Sequence, residues 1–381
     1  MNTGPWLPVP PEGYGGIENV VATLVPELRA RGVRVVLCAA PGSTLAVDRL
    51  VTPLPAPMFE HLTGPYNQMM GIAHAHMGAV VRLLREERDA FDLVHDHLEV
   101  VGPAVLAAMG PAAPPVLQTL HWDLGKHPDF YGNFDGRGRI WFNGVSERQL
   151  ERAPAPLRRQ ALGAVPLSTP IEGMPFQPAK GDAFLALARI TESKGQDVAA
   201  RICRDRGWRL DLAGPVAGAP DPETLDAALA DPASPVHGLP DVRFYLDRVR
   251  PLEDGRTVRW IGSVSGAAKA ALLGRARALL TPVRWDEPGG TAVVEALACG
   301  TPVVAMRRGA MPMLIDHGVT GFLADREEEL PGLLARVGEI DPAACRRAAE
   351  ERFSAGAMAD AYLRLYDEVL ERSVRAATPP G

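Results

Sequence analysis

Residues 284–305 read RWDEPGGTAVVEALACGTPVVA, and they contain the most informative pattern in the sequence. The apolar run ALLTPV before it, at 278–283, has the length of a buried strand, and PVVAM at 302–306 has the same character. Between the two runs, Pro288 suits a first helical position and Gly300 suits the end of a helix. The order of strand, glycine-rich turn, helix and strand predicts a parallel α/β unit.

The turn of this unit has the features of an anion site. Gly289 and Gly290 have no Cβ, so a bulky anion can approach the backbone closely, and the N–H groups of the helix that follows, including Thr291, point at the turn. Glu287 and Glu295 flank the turn just over two helical turns apart, so both can face one cleft. Carboxylates accept hydrogen bonds from vicinal hydroxyls such as those of a sugar or a ribose. On spacing alone, two solvated helix acids remain the alternative.

Composition restricts the class of protein. The chain has 381 residues, enough for two ordinary domains, and its 46% hydrophobic and 23% charged content is that of a globular protein. A net charge of −6 argues against nucleic acid as a partner and against charge-driven membrane docking. The four cysteines show neither a CxxC pair nor metal-binding spacing. Without a signal-peptide pattern or a run of about 18 apolar residues, the sequence predicts a cytoplasmic protein with no transmembrane segment.

The first half of the chain carries two further candidate segments. GYGG at 13–16 opens an amphipathic helix, but no strand precedes it, so it is not a dinucleotide fingerprint. PPVLQTLHWD at 114–123 predicts a strand and its following loop, which places His121 where open α/β sheets bind ligands. HDH at 95–97 ends another predicted strand. These residues could form a metal site, but a structural role is the stronger of the two interpretations.

The second half opens with FLALARITESKG at 184–195, a predicted strand followed by two cations. Arg189 and Lys194 are five residues apart beyond the strand's end. Arginine binds a diphosphate as a fork and lysine as a point charge, so the two are candidates for a diphosphate clamp. A solvated pair is the alternative. Before this segment, the Pro- and Gly-rich composition around 170–180 indicates an interdomain linker.

The stretch EPGGTAVVEALACGTPVVA resembles the C-terminal signature of the family-4 retaining glycosyltransferases of GT-B fold, in particular their avilamycin-type subgroup. Glu287 and Glu295 match the paired acids of that signature, and residues 298–303 match its A-C-G-T-P-V tail. The segment at 189–195 is similar to the family's R-x-x-x-x-K-G, and His121 stands at the family's T-x-H position.

The resemblance implies an α/β protein with two doubly wound Rossmann-like domains that face each other across a cleft. We expect residues 1–172 to form the acceptor-side domain, with its first strand missing. Residues 173–356 are expected to form the nucleotide-sugar-binding domain, and 357–381 a helix that packs back on the N-terminal domain.

The activity implied is metal-independent, retaining transfer of a sugar from a nucleoside-diphosphate sugar, with no cofactor. The acceptor is left open among a sugar, a lipid-linked sugar and a small molecule, and so is the oligomeric state. The resemblance implies catalytic roles for His121, Arg189, Lys194 and Glu287. It implies donor-binding roles for Gly15, Gly16, Gly289, Gly290, Thr291 and Glu295.

Departures from the family pattern keep a second class open. Ala188 replaces a usual glycine, Gly289 an aromatic residue and Met313 a glutamate. These changes, together with the missing first strand, permit a catalytically inactive GT-B protein that binds a nucleotide sugar or a protein partner. Another kind of GT-B enzyme, such as an epimerase or a phosphorylase, ranks lower because it lacks the combination of R-x-x-x-x-K with paired glutamates.

Overall fold

The computed structural model describes residues 1–12 and 15–377, which form two compact units. Unit 1 combines residues 1–168 with the chain from 355 onward, and unit 2 is Thr169–Ser354. The sequence placed the corresponding boundaries after residues 172 and 356. The stretch at 170–180, taken from its composition as a linker, belongs to unit 2.

The strands of unit 1 pair in parallel throughout. The first two pair with each other, and the other four lie side by side in chain order. They are β1 (Val36–Cys38), β2 (Arg49–Val51), β3 (Val94–Asp96), β4 (Val116–Leu120), β5 (Ile140–Gly144) and β6 (Ala161–Ala164).

Asn2 joins these two groups of strands. It forms parallel bridges with Cys38 of β1 and with Asp96 of β3. Its amide donates to the carbonyl oxygen of His95, and its own carbonyl accepts from the amide of His97, each at 2.9 Å. The position that the sequence left without a first strand is therefore taken by a single bridging residue, between β1 and β3.

Helices flank the strands of unit 1, and their apolar faces supply much of its core. The first helix buries Val20, Val21, Leu24, Val25 and Leu28, at helical spacing. The helices are α1 (Gly16–Ala30), α2 (Tyr66–Glu86), α3 (Val101–Met109), α4 (Pro128–Asn133), α5 (Glu147–Glu151) and α6 (Ala155–Arg158).

Unit 2 is a doubly wound sheet of six parallel strands in the order β12-β11-β10-β7-β8-β9. Its strands are β7 (Phe184–Leu187), β8 (Leu210–Ala213), β9 (Val258–Trp260), β10 (Leu279–Thr281), β11 (Val303–Met306) and β12 (Gly321–Ala324). The chain order reverses between β7 and β10, where Leu185 lies opposite Leu279. In open α/β sheets, ligands bind beyond the carboxyl ends of the strands at such a reversal.

The helices of unit 2 lie between these strands along the chain, except for the last two, which follow β12. They are α7 (Gln196–Arg206), α8 (Pro222–Ala230), α9 (Pro240–Phe244), α10 (Gly266–Arg275), α11 (Thr291–Ala298), α12 (Met311–Leu314), α13 (Leu330–Ala335) and α14 (Pro342–Arg352).

The helix within residues 284–305 begins later than the sequence predicts. Pro288 was expected to be its first residue, but α11 begins at Thr291 with Gly290 as N-cap, so that prediction is wrong. The reason is tertiary: the carbonyl of Glu287, which would accept from the amide of Thr291 if the helix began at Pro288, accepts instead from the amide of Ala310 at 2.8 Å. The predicted end is confirmed, because Gly300 follows the helix with a φ of 73°.

The last helix, α15 (Ala355–Ala377), belongs to unit 1 and packs against α1. Tyr362, Leu365 and Val369 form its buried stripe, as their spacing predicts. Among the helices of the described residues, none has both the length and the apolar character needed to cross a bilayer.

Candidate functional site

Two loops of unit 2 leave the sheet where its strand order reverses: residues 188–195 after β7 and 282–290 after β10. They touch each other, since the amide of Arg284 donates to the carbonyl of Ser193 at 2.8 Å. Gly195 has a φ of 72°, and a Cβ there would overlap the carbonyl oxygen of Pro282. Only glycine therefore fits at this crossing of the two loops.

Arg284 anchors the second loop to the start of α7. Its guanidinium donates to both carboxylate oxygens of Asp197, each at 2.8 Å. The side chain of Asp197 is only 4% exposed. A paired fork of this kind fixes orientation as well as distance, so the loop that carries Glu287 has a rigid base.

Glu287 and Lys194, two of the predicted site residues, lie in direct contact. The ammonium of Lys194 forms an ion pair with Oε2 of Glu287. Trp285 Nε1 donates to the same oxygen at 3.0 Å, and Lys194 Nζ lies 5.2 Å from the centroid of the Trp285 ring. Among the described residues Oε1 of Glu287 has no hydrogen-bond partner, so it is available to a ligand.

Arg189 is exposed at the start of the first loop. Its carbonyl accepts from Gln196 Nε2 at 2.8 Å, which fixes the backbone. Within the described part of the chain its guanidinium makes no hydrogen bond or ion pair. The guanidinium of Arg189 is therefore available to an anion. Unlike Glu287, however, it is not in contact with Lys194.

The glycines of the turn have a packing role. A Cβ on Gly290 would lie 2.6 Å from Cδ1 of Leu314 and 3.2 Å from Cε of Met311. Gly289 is buried, whereas Thr291 is exposed at the first position of α11. The amino end of α11 thus reaches the surface of unit 2 beside Glu287, as an anion site requires.

Glu295, the second acid of the pair, is buried and 7% exposed. Its Oε1 accepts from Nζ of Lys269, on α10, at 2.5 Å. Each glutamate is therefore neutralised by its own lysine, Glu287 by Lys194 and Glu295 by Lys269. Sequence reasoning missed Lys269 and Trp285, because neither stands in a motif and both partnerships depend on the fold.

Of the glycine-rich turn in unit 1, Gly13 and Tyr14 lie outside the described residues. Gly15 is the N-cap of α1, and a Cβ there would lie 2.6 Å from Cγ of Pro11. Among the described residues, no atom lies within 4 Å of a Cβ placed on Gly16. Glu18, one turn further, is buried, and this burial raises its pKa to about 7.

His121 directly follows β4 and is half-buried. Its Nε2 lies 2.9 Å from Nδ1 of His97, so one of the two rings donates to the other. Burial lowers the pKa of His121 to about 4 and that of His97 well below its ordinary value. Both imidazoles are therefore neutral at pH 7.

His95 and Asp96, which precede His97, form hydrogen bonds with other residues. His95 Nε2 lies 2.7 Å from Oγ1 of Thr119, and Asp96 Oδ1 accepts from Nδ2 of Asn2 at 2.6 Å. Throughout 1–12 and 15–377, no group of three or more His, Cys, Asp or Glu side chains is arranged to hold a metal ion.

Glu99 is a candidate that the sequence reading missed altogether. It is buried, and its carboxylate accepts from the amides of His121 and Trp122 and from the hydroxyl of Tyr131. Burial raises its pKa, and these three hydrogen bonds act in the opposite direction. Its position two residues after His97 is the one signal that could have drawn attention to it.

Comparisons with known proteins agree with this architecture. The model for Glycosyltransferase Family 4 matches residues 14–156, and that for Glycosyl transferases group 1 matches residues 175–351. The D-inositol 3-phosphate glycosyltransferase of Saccharomonospora viridis is 32% identical over 207 residues, which are 51% of this chain and 44% of that protein. The chain thus spans less than half the length of this curated relative.

Among solved structures, AviGT4, a glycosyltransferase involved in avilamycin A biosynthesis, is 27% identical, with a TM-score of 0.65 and 97% of both chains covered. Anabaena HepE, in complex with UDP and glucose, is 17% identical, with a TM-score of 0.65, 96% of this chain and 99% of its own covered. The predicted fold class is confirmed. Since the two family models together match most of the sequence and AviGT4 aligns along nearly all of it, this chain has the GT-B fold, with a Glycosyltransferase Family 4 domain followed by a Glycosyl transferases group 1 domain.

Proposed function

We propose that the protein is a retaining glycosyltransferase that moves a sugar from a nucleoside-diphosphate sugar to an acceptor, without a metal ion. One observation carries the proposal: the loops after β7 and β10 bring Lys194 and Glu287 together where the strand order reverses. Anabaena HepE, a neighbour in fold, was solved with UDP and glucose, which supports a nucleotide sugar as the donor.

The leaving diphosphate gains negative charge as its bond to the sugar breaks. Arg189 and Lys194 supply positive charge after β7, and the amino end of α11, with Gly289, Gly290 and Thr291, supplies oriented N–H groups after β10. Fixed donors aimed at developing charge lower the barrier because they need no reorganisation during the reaction. This set replaces the cation that a metal would provide.

The ion pair between Lys194 and Glu287 gives each partner a second task. When a diphosphate binds Lys194, Glu287 keeps the hydrogen bond from Trp285 and presents Oε1 to the hydroxyls of the donor sugar. Glu295 holds the ribose through the carboxylate oxygen that Lys269 does not occupy. The carboxylates therefore orient the donor, and the cations stabilise its leaving group.

Residues of unit 1 complete the proposal. His121, held neutral by burial, contacts the donor sugar near the reacting carbon, and Gly15 and Gly16 let the backbone of their loop approach the donor phosphates. The acceptor is a sugar, a lipid-linked sugar or a small molecule.

A donor screen tests the proposal. The purified protein is incubated with UDP-, GDP-, ADP- and dTDP-sugars and a panel of acceptors, and the product is identified by mass and its anomeric configuration by NMR. Transfer that retains configuration and survives EDTA supports the proposal, whereas inversion or loss of transfer in EDTA contradicts it. Calorimetric binding of a donor without turnover would favour the catalytically inactive alternative.

A further inference from the structure

The backbone that carries His121 is held by two buried side chains. Glu99 Oε1 accepts from the amides of His121 and Trp122 at 2.5 and 2.7 Å. From the other side, Gln149 Nε2 donates to the carbonyl oxygens of Leu120 and Trp122 at 3.1 and 2.8 Å. Glu99 lies just before α3 and Gln149 within α5, and both residues are 7% exposed. Two separate elements therefore fix one short loop.

The segment that presents Glu99 is strained. Val100 has a φ of 65° and a ψ of −63°, and the amide of Val101 donates back to the carbonyl of Glu99 at 2.7 Å, which closes a γ-turn of the rare kind. A positive φ is unfavourable for any β-branched residue. Such strain persists only where the surroundings over-determine it, and it concentrates at functional sites. Here the carboxylate of Glu99 has three hydrogen bonds, the third from the hydroxyl of Tyr131 at 2.9 Å.

The imidazole of His121 is fixed as well as its backbone. Its Nε2 lies 2.9 Å from Nδ1 of His97, which stands two residues before Glu99. Its Nδ1 has no hydrogen-bond partner among the described residues. The segment 97–100 thus sets both the backbone and the ring orientation of His121, and leaves one ring nitrogen available to a ligand.

We propose that Glu99 and Gln149 are positioning residues for the transfer reaction, acting through His121. The inference rests on the proposed function, because it needs His121 to contact the donor sugar. A loop that drifts by about 1 Å misaligns such a contact, and misplacements of this size cost roughly 10²-fold in rate. The competing explanation is that both side chains serve stability alone.

Two substitutions of Glu99 separate these explanations. Glu99→Leu keeps the volume but removes both acceptors, so kcat is expected to fall about 10²-fold while the donor KM stays within about threefold. Glu99→Gln restores function to within about fivefold, because its Oε1 accepts from both amides and its Nε2 donates to the Tyr131 hydroxyl. Gln149→Leu is expected to lower kcat in the same direction. An unchanged kcat in Glu99→Leu would overturn the proposal.

A double-mutant cycle shows whether Glu99 acts through His121. In a His121→Ala background, Glu99→Leu should cost less than about threefold further, because the group that it positions is gone. A further loss as large as in the wild type would show that Glu99 acts by another route and would overturn the inference. Tyr362→Phe is the matched control: it removes a buried hydroxyl that contacts Thr119 in the same unit, so it should lower the melting temperature and leave kcat within about twofold.

A second measurement does not depend on turnover. The imidazole ¹⁵N resonances of His121 and the amide resonance of Trp122 should be single and alike in wild type and Glu99→Gln, and shifted or doubled in Glu99→Leu. Unchanged resonances in Glu99→Leu would refute the positioning role, whatever the activity. If the wild type transfers no sugar from any donor, the proposed function fails, and these spectra still decide whether Glu99 fixes the loop.

Discussion

At the scale of single residues, each of the two glutamates of the site is paired with a lysine before any ligand arrives. Lys194 pairs with Glu287 and Lys269 with Glu295. Spacing in the sequence was enough to nominate both glutamates and Lys194, because each belongs to a motif. Lys269 comes from a separate helix, and no local pattern reveals which acid a distant lysine will meet.

Replacing Lys194 tests the diphosphate clamp. Lys194→Ala is expected to lower the transfer rate roughly 10²–10³-fold, the cost of removing one fixed donor to a developing charge. Steady-state kinetics with the best donor measure it. Arg209→Ala is the control, since this exposed arginine pairs with Asp182 beyond the opposite end of the sheet and should transfer at the wild-type rate. Equal activity of the two variants would rule out the clamp.

Trp285 gives a finer test at the same scale. Trp285→Phe keeps a ring beneath Lys194 but removes the N–H that holds Glu287 Oε2. A hydrogen bond to a charged group contributes about 1.5–3 kcal/mol, so the donor KM should rise roughly tenfold or more. Trp208→Phe, in the same unit and packed on Phe184, provides the comparison. The role assigned to Trp285 is wrong if both variants keep the wild-type KM.

At the scale of elements, helix ends were predicted better where glycine decides them than where tertiary contacts do. Gly300 ends α11 as expected, because a left-handed residue favours glycine. The predicted start of α11 was wrong, since the carbonyl of Glu287 accepts from the amide of Ala310 instead of from the helix. Helix α8 was overlooked, although Asp221 caps it by accepting from the amide of Thr224 at 2.7 Å and a proline follows the cap.

The two glycines at the ends of α7 allow a matched prediction. Gly195 and Gly207 have φ values of 72° and 66°, but only at Gly195 would a Cβ overlap a backbone oxygen, that of Pro282. Gly207→Ala should cost about 1 kcal/mol for the positive φ alone, and Gly195→Ala clearly more, about 2–4 kcal/mol. Thermal unfolding of unit 2 measures both. Equal losses of stability in the two variants would mean that the two loops move apart readily to accommodate a methyl group at residue 195.

At the scale of the whole molecule, the class of fold could be predicted from residues 284–305 and from the alternation of strands and helices around them. The arrangement at the centre of unit 1, where Asn2 bridges β1 and β3, could not be predicted. Asn2 occupies the place of a strand through two bridges, which no propensity indicates. The roles of Glu99 and Gln149 are likewise invisible in sequence, because the loop at 120–122 that both side chains hold lies more than twenty residues away along the chain. What the sequence shows is local, and what completes the site is the contact between distant segments.

Buried groups around Asn2 also make the stability of unit 1 depend on pH. Burial raises the pKa of Asp96 from 3.8 to about 7, so the folded form prefers the protonated acid more than the unfolded chain does. The contribution of Asp96 to stability is therefore greatest below pH 4 and is lost as the pH rises through 7. Burial of His76 lowers its pKa to about 4. The contribution of His76 to stability is therefore present above pH 6.5 and is lost as the pH falls from 6.5 to about 4.

Asp96→Asn isolates the first of these effects. Since one pKa unit corresponds to about 1.4 kcal/mol, the wild type should lose roughly 2–4 kcal/mol relative to the variant between pH 4 and pH 8. Calorimetric unfolding of the two proteins across this range gives the difference. A stability gap between wild type and Asp96→Asn that does not change with pH would show that Asp96 is ionised in the folded state at no cost.

The position of Asn2 between β1 and β3 has a practical consequence for redesigning this protein. The amino group of Met1 donates to the carbonyl of Val36 at 3.0 Å, at the edge of a cavity of about 390 Å³ whose walls include Val36 and Val94. A polar side chain introduced at Val36 or Val94 would be poorly accommodated among the apolar side chains there. Redesign of this part of unit 1 should therefore keep both positions apolar.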